Sequence, residues 1–158
     1  MKYTLFVLFL LTVNAYGQEL SFIKDKKFSG YIVAKERFVF KSVENQDARY
    51  TPSIDDVRKA ERILSCNEKY LKDNQSSKLP DYPVIYKSIR RYIRQYVGFI
   101  DKSGDHIIWI ILISKKKAEH DKVGRDIIQA EDGASNYWSV CINITKGYIF
   151  DMRINGIG

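Results

Sequence analysis

The sequence has few of the residues that cross-link small folds or bind metals. It contains two cysteines and two histidines in 158 residues, too few for a disulfide-dense scaffold or a usual structural zinc site. Nine glycines, three prolines and 45% hydrophobic residues exclude collagen-like, low-complexity and disordered chains. His-Glu-x-x-His, Gly-x-Ser-x-Gly and P-loop patterns are missing, so the sequence predicts no cofactor and identifies no catalytic set.

The first residues have the pattern of a secretory signal peptide. Lys2 supplies a positive charge, and Leu5 to Leu11 is an uninterrupted apolar run. Ala15 and Gly17 then occupy the −3 and −1 positions of a cleavage site before Gln18. A charged start, a short apolar run and a small-x-small site predict export with cleavage.

The expected product is a secreted or periplasmic protein. Residues 1–17 form the predicted signal peptide, and residues 18–158 form one predicted domain. Later in the chain, Ile107 to Ile113 is an apolar run of seven residues, far short of the roughly 20 that a membrane-spanning helix needs. The mature chain is therefore expected to lack a transmembrane segment. The formal net charge of +7 falls to +6 when Lys2 is removed.

The first half of the mature chain predicts strands followed by a helix. Phe28 to Val43 is rich in aromatic and β-branched residues, which indicates one or two strands, broken near Lys35. Ser53 is expected to cap a helix whose apolar face extends to Leu71. Residues 73–77 are expected to end this helix, 79–83 to form a loop, and the spacing of Ile85, Ile89 and Ile93 indicates a short second helix.

The second half predicts four antiparallel strands. A turn signal at 101–105 separates two extended segments, the second of which, His106 to Ile113, is apolar on both faces and suits a strand covered on two sides. Tyr137 to Ile144 and the segment starting at Tyr148 alternate in polarity, and the latter places Met152 on the same face as Phe150. The order predicts an α+β fold, in which the N-terminal strand region and helix pack on a curled antiparallel sheet of about four strands. This order is similar to cystatin-like and nuclear-transport-factor-like folds.

Two segments resemble a group of small secreted bacterial proteins without an assigned activity. They are Tyr92–Asp101 and Asp132–Gly156, which includes the run Tyr137-Trp138-Ser139-Val140. The stretch Gln95-Tyr96-Val97-Gly98 also resembles the Gln-x-Val-x-Gly hairpin of cystatins, but it lacks the residue between Val and Gly. The resemblance implies secretion and a cystatin-like fold, and it implies no catalytic residues.

Cys66 and Cys141 leave two alternatives open. In an oxidising compartment they can form one disulfide that closes a long loop. Alternatively they are two small buried thiols, because the alternation of residues 137–143 places Cys141 on the face opposite Trp138, away from a helix that packs on the Trp138 face.

Cations alternate with aromatic rings in the middle of the chain, and a lysine run follows. Rings and guanidinium groups can hold an anionic ligand or a sugar by stacking and charge. The candidate contact residues are Tyr86, Arg90, Arg91, Tyr92, Arg94, Tyr96, Lys115, Lys116 and Lys117. A solvated face with partly buried tyrosines is the structural alternative. Export makes nucleic acid an unexpected partner.

Three functional hypotheses follow. The first is a non-enzymatic module of the cell envelope that binds an envelope protein or an anionic ligand through one face of the sheet. The second is an inhibitor or immunity protein that acts on a secreted enzyme or toxin, with an acidic target favoured by the positive charge. The third is a small hydrolase with an unrecognised site, which would require convergent ionisable groups in a pocket.

Overall fold

A computed structural model describes residues 20–78, 85–130 and 133–155. The predicted signal peptide and the predicted loop at 79–83 lie outside these residues. Within the described part of the chain, no helix is long and apolar enough to cross a membrane.

The chain forms an α+β fold with one mixed sheet, as the sequence predicts for the class. In the described residues the sheet has seven strands: β1 (Ser21–Lys24), β2 (Ser29–Val33), β3 (Gln46–Tyr50), β4 (Tyr92–Asp101), β5 (His106–Ser114), β6 (Tyr137–Asn143) and β7 (Tyr148–Ile154). The strand order is β1-β2-β4-β5-β6-β7, and β3 also pairs with β4. The helices are α1 (Ile54–Cys66), α2 (Glu68–Lys78) and the short α3 (His120–Val123), with 3-10 helices at Tyr86–Arg91 and Ala134–Asn136.

The prediction of about four strands is too low. The antiparallel run β4-β5-β6-β7 is present, with short turns between β4 and β5 and between β6 and β7 and a long connection, residues 115–136, between β5 and β6. Three strands from the first half of the chain join the same sheet. β2 pairs with β4 in parallel, and β3 pairs antiparallel with the other end of β4. The sheet is therefore mixed rather than antiparallel, because the ten-residue β4 is long enough to carry two partners along one side.

Helix α1 starts where the sequence places its cap. The Ser53 hydroxyl accepts a hydrogen bond from the backbone N–H of Asp56 at 3.1 Å, and the Asp56 carboxylate accepts one from the backbone N–H of Ser53 at 2.9 Å. This reciprocal capping box satisfies two backbone donors of the first turn. The predicted single helix is divided at Asn67, after which α2 continues to Lys78, so the helical region extends past the predicted end at 73–77.

Helices α1 and α2 cover one face of the sheet, here called the helix face. The apolar stripe Val57, Ala60 and Leu64 of α1 is buried there. It packs in one cluster with residues of every second position on the central strands, among them Ile110 and Trp138. This layer is the larger of the two cores.

The opposite face, here called the loop face, is covered by two irregular segments, residues 34–45 and 115–130. Val43 and Val123 from these segments are buried against Val97, Trp109 and other residues of the central strands. The two-sided burial predicted for the central strand is confirmed, since Ile107 through Ser114 are all buried in β5. Both faces of the sheet are therefore covered in the described part of the chain.

The predicted strand over Phe28–Val43 exists only in its first part. β2 ends at Val33, and residues 34–45 leave the sheet. Phe38 and Phe40 are 76% and 82% exposed, while Val39 and Val43 pack on the loop face. The apolar residues of this segment therefore serve a covering loop and not a strand.

A β-bulge in β7 overturns the predicted alternation of that strand. Ser139 pairs with Arg153 and Cys141 with Phe150, so three steps along β7 match two along β6. The extra residue is Asp151, whose φ of 48° lies in the left-handed region. Because of the bulge, Phe150 packs on the loop face whereas Met152 packs on the helix face, although the alternation placed both on one face.

Candidate functional site

The main depression near the predicted residues lies on the helix side of the molecule and is called here the α1 groove. It runs between α1, the 3-10 helix at Tyr86–Arg91 and the β1–β2 connection, with a volume of about 790 Å³. Its described lining includes six cationic side chains: Lys27, Arg58, Arg62, Lys87, Arg90 and Arg94. Its described acidic residues are Asp25, Glu61 and Glu68. The groove is therefore positively charged, with a formal excess of three cations in its described part.

Arg94 lies at the base of the α1 groove and is 1% exposed. Its Nε lies 3.0 Å from Glu61 Oε1, and its NH1 donates to the carbonyl oxygen of Tyr92 at 2.6 Å. Glu61 Oε1 also accepts the hydroxyl proton of Tyr96 at 2.9 Å. Burial, together with the charge of Glu61, raises the pKa of Tyr96 well above its usual range, so this hydroxyl stays a donor. The network fixes β4 to α1 beneath the groove.

Other cations of the α1 groove have no such partner. Within the described residues, Arg62, Lys87 and Arg90 form no ion pair, and all three are exposed. Arg58 is partly neutralised, because its NH1 lies 3.2 Å from Asp55 Oδ1. The unpaired cations surround a base whose own charges are balanced, an arrangement that leaves positive charge available to an incoming anion.

The structure separates the predicted contact residues into several groups. Arg90 and Arg94 line the α1 groove. Tyr92 and Tyr96 are buried in the helix-face core, where Tyr92 donates its hydroxyl to the carbonyl oxygen of Ser135 at 2.7 Å. The side chain of Tyr86 lies outside the described residues.

The remaining predicted cations lie near the same end of the sheet but do not line the groove. Arg91, Lys115, Lys116 and Lys117 are exposed. Lys115 Nζ donates to the carbonyl oxygen of Arg90 at 3.1 Å, so the lysine run adjoins the groove, as the antiparallel pairing of β4 with β5 implied. Lys117 lines a small depression on the loop side instead.

Sequence reasoning missed the contribution of α1 and of Lys27. Arg58 and Arg62 are four residues apart on α1, and this spacing puts them on one helix face. That spacing was a usable signal, but their juxtaposition with Arg90 and Arg94 depends on how α1 packs against β4. Lys27 lies in the β1–β2 connection, and its nearness to Arg94 depends on the parallel pairing of β2 with β4.

The two cysteines match neither predicted alternative fully. Both are free thiols, and Cys66 is exposed while Cys141 is buried. Trp138 packs toward α1 whereas Cys141 belongs to the loop-face core, so the sheet separates the two thiols. Burial raises the pKa of Cys141 to about 12, which keeps this thiol protonated and unreactive.

The described residues offer no metal centre. No group of three or more histidine, cysteine, aspartate or glutamate side chains in the described ranges is placed to hold a metal ion. The His106 ring lies against Tyr50, with ring centroids 4.5 Å apart. The side chain of His120 is outside the described residues.

The α1 groove has the chemistry of an anion-binding surface. Its guanidinium groups can form paired N–H hydrogen bonds with carboxylate, sulfate or phosphate oxygens. The partly buried acidic member, Glu61, is already engaged by Arg94 and Tyr96. Comparison with known proteins adds no assignment, because no family model, curated protein or solved structure matches the chain.

Proposed function

We propose that this protein is a non-enzymatic binding module of the secreted or periplasmic space, and that it holds an anionic ligand or the acidic surface of an envelope partner in the α1 groove. The single observation that carries the proposal is the ring of unpaired cations, Arg62, Lys87 and Arg90, around the balanced Arg94–Glu61 pair.

The arrangement favours binding over catalysis. The acid at the base of the groove, Glu61, accepts hydrogen bonds from two neighbours, and Arg94 has its donors directed to Glu61 and to a backbone carbonyl. A base whose charges are paired, with exposed cations above it, suits recognition of negative charge, where attraction speeds association and decreases with salt.

The proposal is tested by titrating the purified protein with dextran sulfate and with neutral dextran of the same length. Binding is expected for the sulfated polymer alone and should weaken as salt is raised. Replacing Arg62→Ala together with Arg90→Ala should weaken binding about tenfold at low salt, because each exposed ion pair contributes up to ~1 kcal/mol.

A charge-matched control separates the groove from general surface charge. Lys102→Ala with Lys122→Ala removes the same charge from two exposed positions outside the groove. This variant is expected to bind within about twofold of wild type, as expected for cations remote from the ligand. Equal losses in both double variants would show that net charge alone drives association, and the proposed site would be abandoned.

The proposed export of the protein is tested by a separate experiment. Expression of the full chain in a bacterial host followed by N-terminal sequencing of the exported protein is expected to give Gln18 as the first residue. Recovery of the intact chain with Met1 or Lys2 from the cytoplasm would contradict the proposed export, without bearing on the groove.

A further inference from the structure

A second depression lies on the loop face, across the sheet from the α1 groove, and is called here the Trp109 cleft. It has a volume of about 490 Å³, within the range of small-molecule sites. Five separate segments supply its described lining: residues 40–42, β5, β6, residues 128–130 and the end of β7. Its described aromatic residues on this face are Phe40, Trp109 and Tyr137, and it is also bordered by Trp138, whose side chain packs in the helix-face core.

Charged side chains at the rim of the Trp109 cleft are held in fixed positions. Lys41 Nζ lies 2.6 Å from Asp151 Oδ2 and 5.4 Å from the centre of the Trp109 ring, and its side chain is only 8% exposed. Arg153 Nε lies 2.9 Å from Asp151 Oδ1. Burial acts to raise the pKa of Asp151, but hydrogen bonds from Arg153 and Lys41 outweigh it and leave that pKa below its ordinary value. The rim thus carries two cations and one carboxylate.

The β7 bulge produces this arrangement. Asp151 is the inserted residue and has a left-handed backbone conformation, which is unfavourable for a non-glycine residue. Bulges of this kind redirect side chains and are frequent beside functional sites. Here the bulge lets Asp151 meet both Lys41 and Arg153.

Two polar groups of the cleft have no hydrogen-bond partner among the described residues, and one aromatic ring is largely exposed. Trp109 is 6% exposed, and its indole N–H has no hydrogen-bond partner in the described part of the chain. Arg153 donates Nε to Asp151, and within the described residues its terminal NH1 and NH2 groups form no hydrogen bond. Phe40 is 82% exposed and stacks edge-on with Phe38, with ring centroids 4.8 Å apart. Large aromatic rings exposed beside a cleft indicate a binding surface.

We propose that the Trp109 cleft binds a small aromatic carboxylate. The flat apolar body lies between Phe40 and the Trp109–Tyr137 floor, and the carboxylate is held by the free fork of Arg153. The rim charge of +1 complements a monoanion, and a guanidinium fork pairs with a carboxylate through two parallel N–H···O bonds. This site is separate from the α1 groove, because the sheet lies between them.

The test uses 2-naphthoate as the probe and the indole N–H signals of the 15N-labelled protein as the readout. The chain has two tryptophans, so two indole signals are expected, and Trp138→Phe assigns them. Naphthoate should shift the Trp109 signal saturably at submillimolar concentration. Neutral 2-naphthamide should bind more weakly, and acetate, which lacks the ring, should leave the signal unchanged.

Variants of the cleft test recognition of the carboxylate and of the aromatic ring separately. Arg153→Gln should weaken naphthoate binding about tenfold, the loss of a charge-assisted hydrogen bond, and leave naphthamide binding within about twofold of wild type. Arg153→Lys keeps the positive charge but not the paired guanidinium N–H groups, so its affinity for naphthoate should lie between those of wild type and Arg153→Gln. Phe40→Ala should weaken both ligands. Both residues are exposed, and the backbone spectrum verifies that each variant is folded.

A matched control is Lys146→Gln, because Lys146 is an exposed cation paired with an aspartate, Asp105, as Arg153 is paired with Asp151. Naphthoate binding should be unaffected by it and by Arg62→Ala with Arg90→Ala in the α1 groove. Absence of a Trp109 shift, equal affinity for naphthoate and naphthamide, or loss of binding in the groove variant would each overturn the proposal. None of these outcomes bears on dextran sulfate binding.

Discussion

The two faces of the sheet are both buried, but they are covered by different means. On the helix face, a regular amphipathic helix brings an apolar stripe to the strands. On the loop face, largely irregular segments cover the second, smaller apolar cluster. Two neighbouring residues of β4 bind the layers on the two faces. Arg94 forms an ion pair with Glu61 of α1, and Gln95 forms hydrogen bonds with the segment 115–130 on the loop face. One central strand therefore anchors both layers through side chains that alternate across the sheet.

The loop cover depends on polar anchors because loops supply few regular apolar contacts. The Gln95 amide nitrogen donates to the carbonyl oxygens of Val123 and Asp126 at 2.8 and 2.6 Å. Its oxygen accepts from the backbone N–H of Ile128 at 2.9 Å. Arg49 similarly donates to the carbonyl oxygen of Arg37 at 3.3 Å and stacks over Phe99. These side chains thus satisfy backbone groups of the loop segments that form no hydrogen bonds within the sheet.

The largest expected effect comes from breaking the anchor of the helix face. Glu61→Ala leaves the buried Arg94 without its counter-ion and should lower the free energy of unfolding by about 3–5 kcal/mol. Glu61→Leu combined with Arg94→Met should recover most of the loss, because no buried charge remains. Urea unfolding measures both. A Glu61→Ala variant as stable as wild type would show that Arg94 reaches solvent and that this face does not rely on the pair.

Removing Gln95, which binds the segment covering the loop face, should lower the free energy of unfolding by less, and its effect should be local. Gln95→Leu removes the partner of three backbone groups, at Val123, Asp126 and Ile128, and we expect the free energy of unfolding to fall by about 2–3 kcal/mol. Hydrogen exchange should accelerate at amides of residues 123–128 and remain slow in α1. If α1 loses protection equally, the two covers unfold together and the comparison between them fails. Gln95→Glu keeps the shape but places a buried carboxylate against the two carbonyl oxygens, and it is expected to lose at least as much stability.

A smaller change in the free energy of unfolding is expected from a substitution at the start of α1. Ser53→Ala removes the hydroxyl of the capping box and should lower the free energy of unfolding by about 1 kcal/mol. Ser65→Ala is the matched control, since its hydroxyl donates to the carbonyl oxygen of Arg62 within the helix and caps nothing. Thermal unfolding compares the two. Equal changes would mean that tertiary packing alone fixes the helix start.

The smallest effect is a pH dependence at the β6–β7 end of the loop face. Hydrogen bonds from Lys146 and then Asn143 hold the pKa of Asp105 below its ordinary value. Asp105 therefore stabilises the fold at neutral pH, and this contribution should disappear as pH falls from its ordinary pKa, about 4, through the lower folded-state pKa. Asp105→Asn should flatten that part of the stability profile. An unchanged acid limb in the variant would assign the limb to other carboxylates.

The sequence was sufficient for features that depend on local periodicity. The capped start of α1, the turn at 101–105 and the doubly buried β5 follow from residue spacing and were all found. The parallel pairing of β2 with β4 was missed because nothing in either segment encodes a partner so distant in the chain. The short strands β1 and β3 were missed because four or five residues carry too little alternation to detect.

The candidate sites were only partly predictable. The interleaved Tyr92, Arg94 and Tyr96 indicated an exposed basic-aromatic surface, yet alternation also placed Arg94 on the same face as two tyrosines that became core residues. The position of Arg94 on the same strand face as these tyrosines was the signal that could have predicted its burial. The bulge at Asp151 left no such signal, since an inserted residue is defined only by the pairing of β6 with β7.

The parallel pairing has a consequence for how the chain acquires its structure. Gly30 lies opposite Arg94, so β2 can pair only with β1 until a segment 64 residues later has been made. The hairpin of β4 and β5 closes over a short turn and should form first, while distant pairings form slowly. The N-terminal strands therefore complete their pairing in the sheet only after β4 has been made, and we expect them to become ordered late in folding.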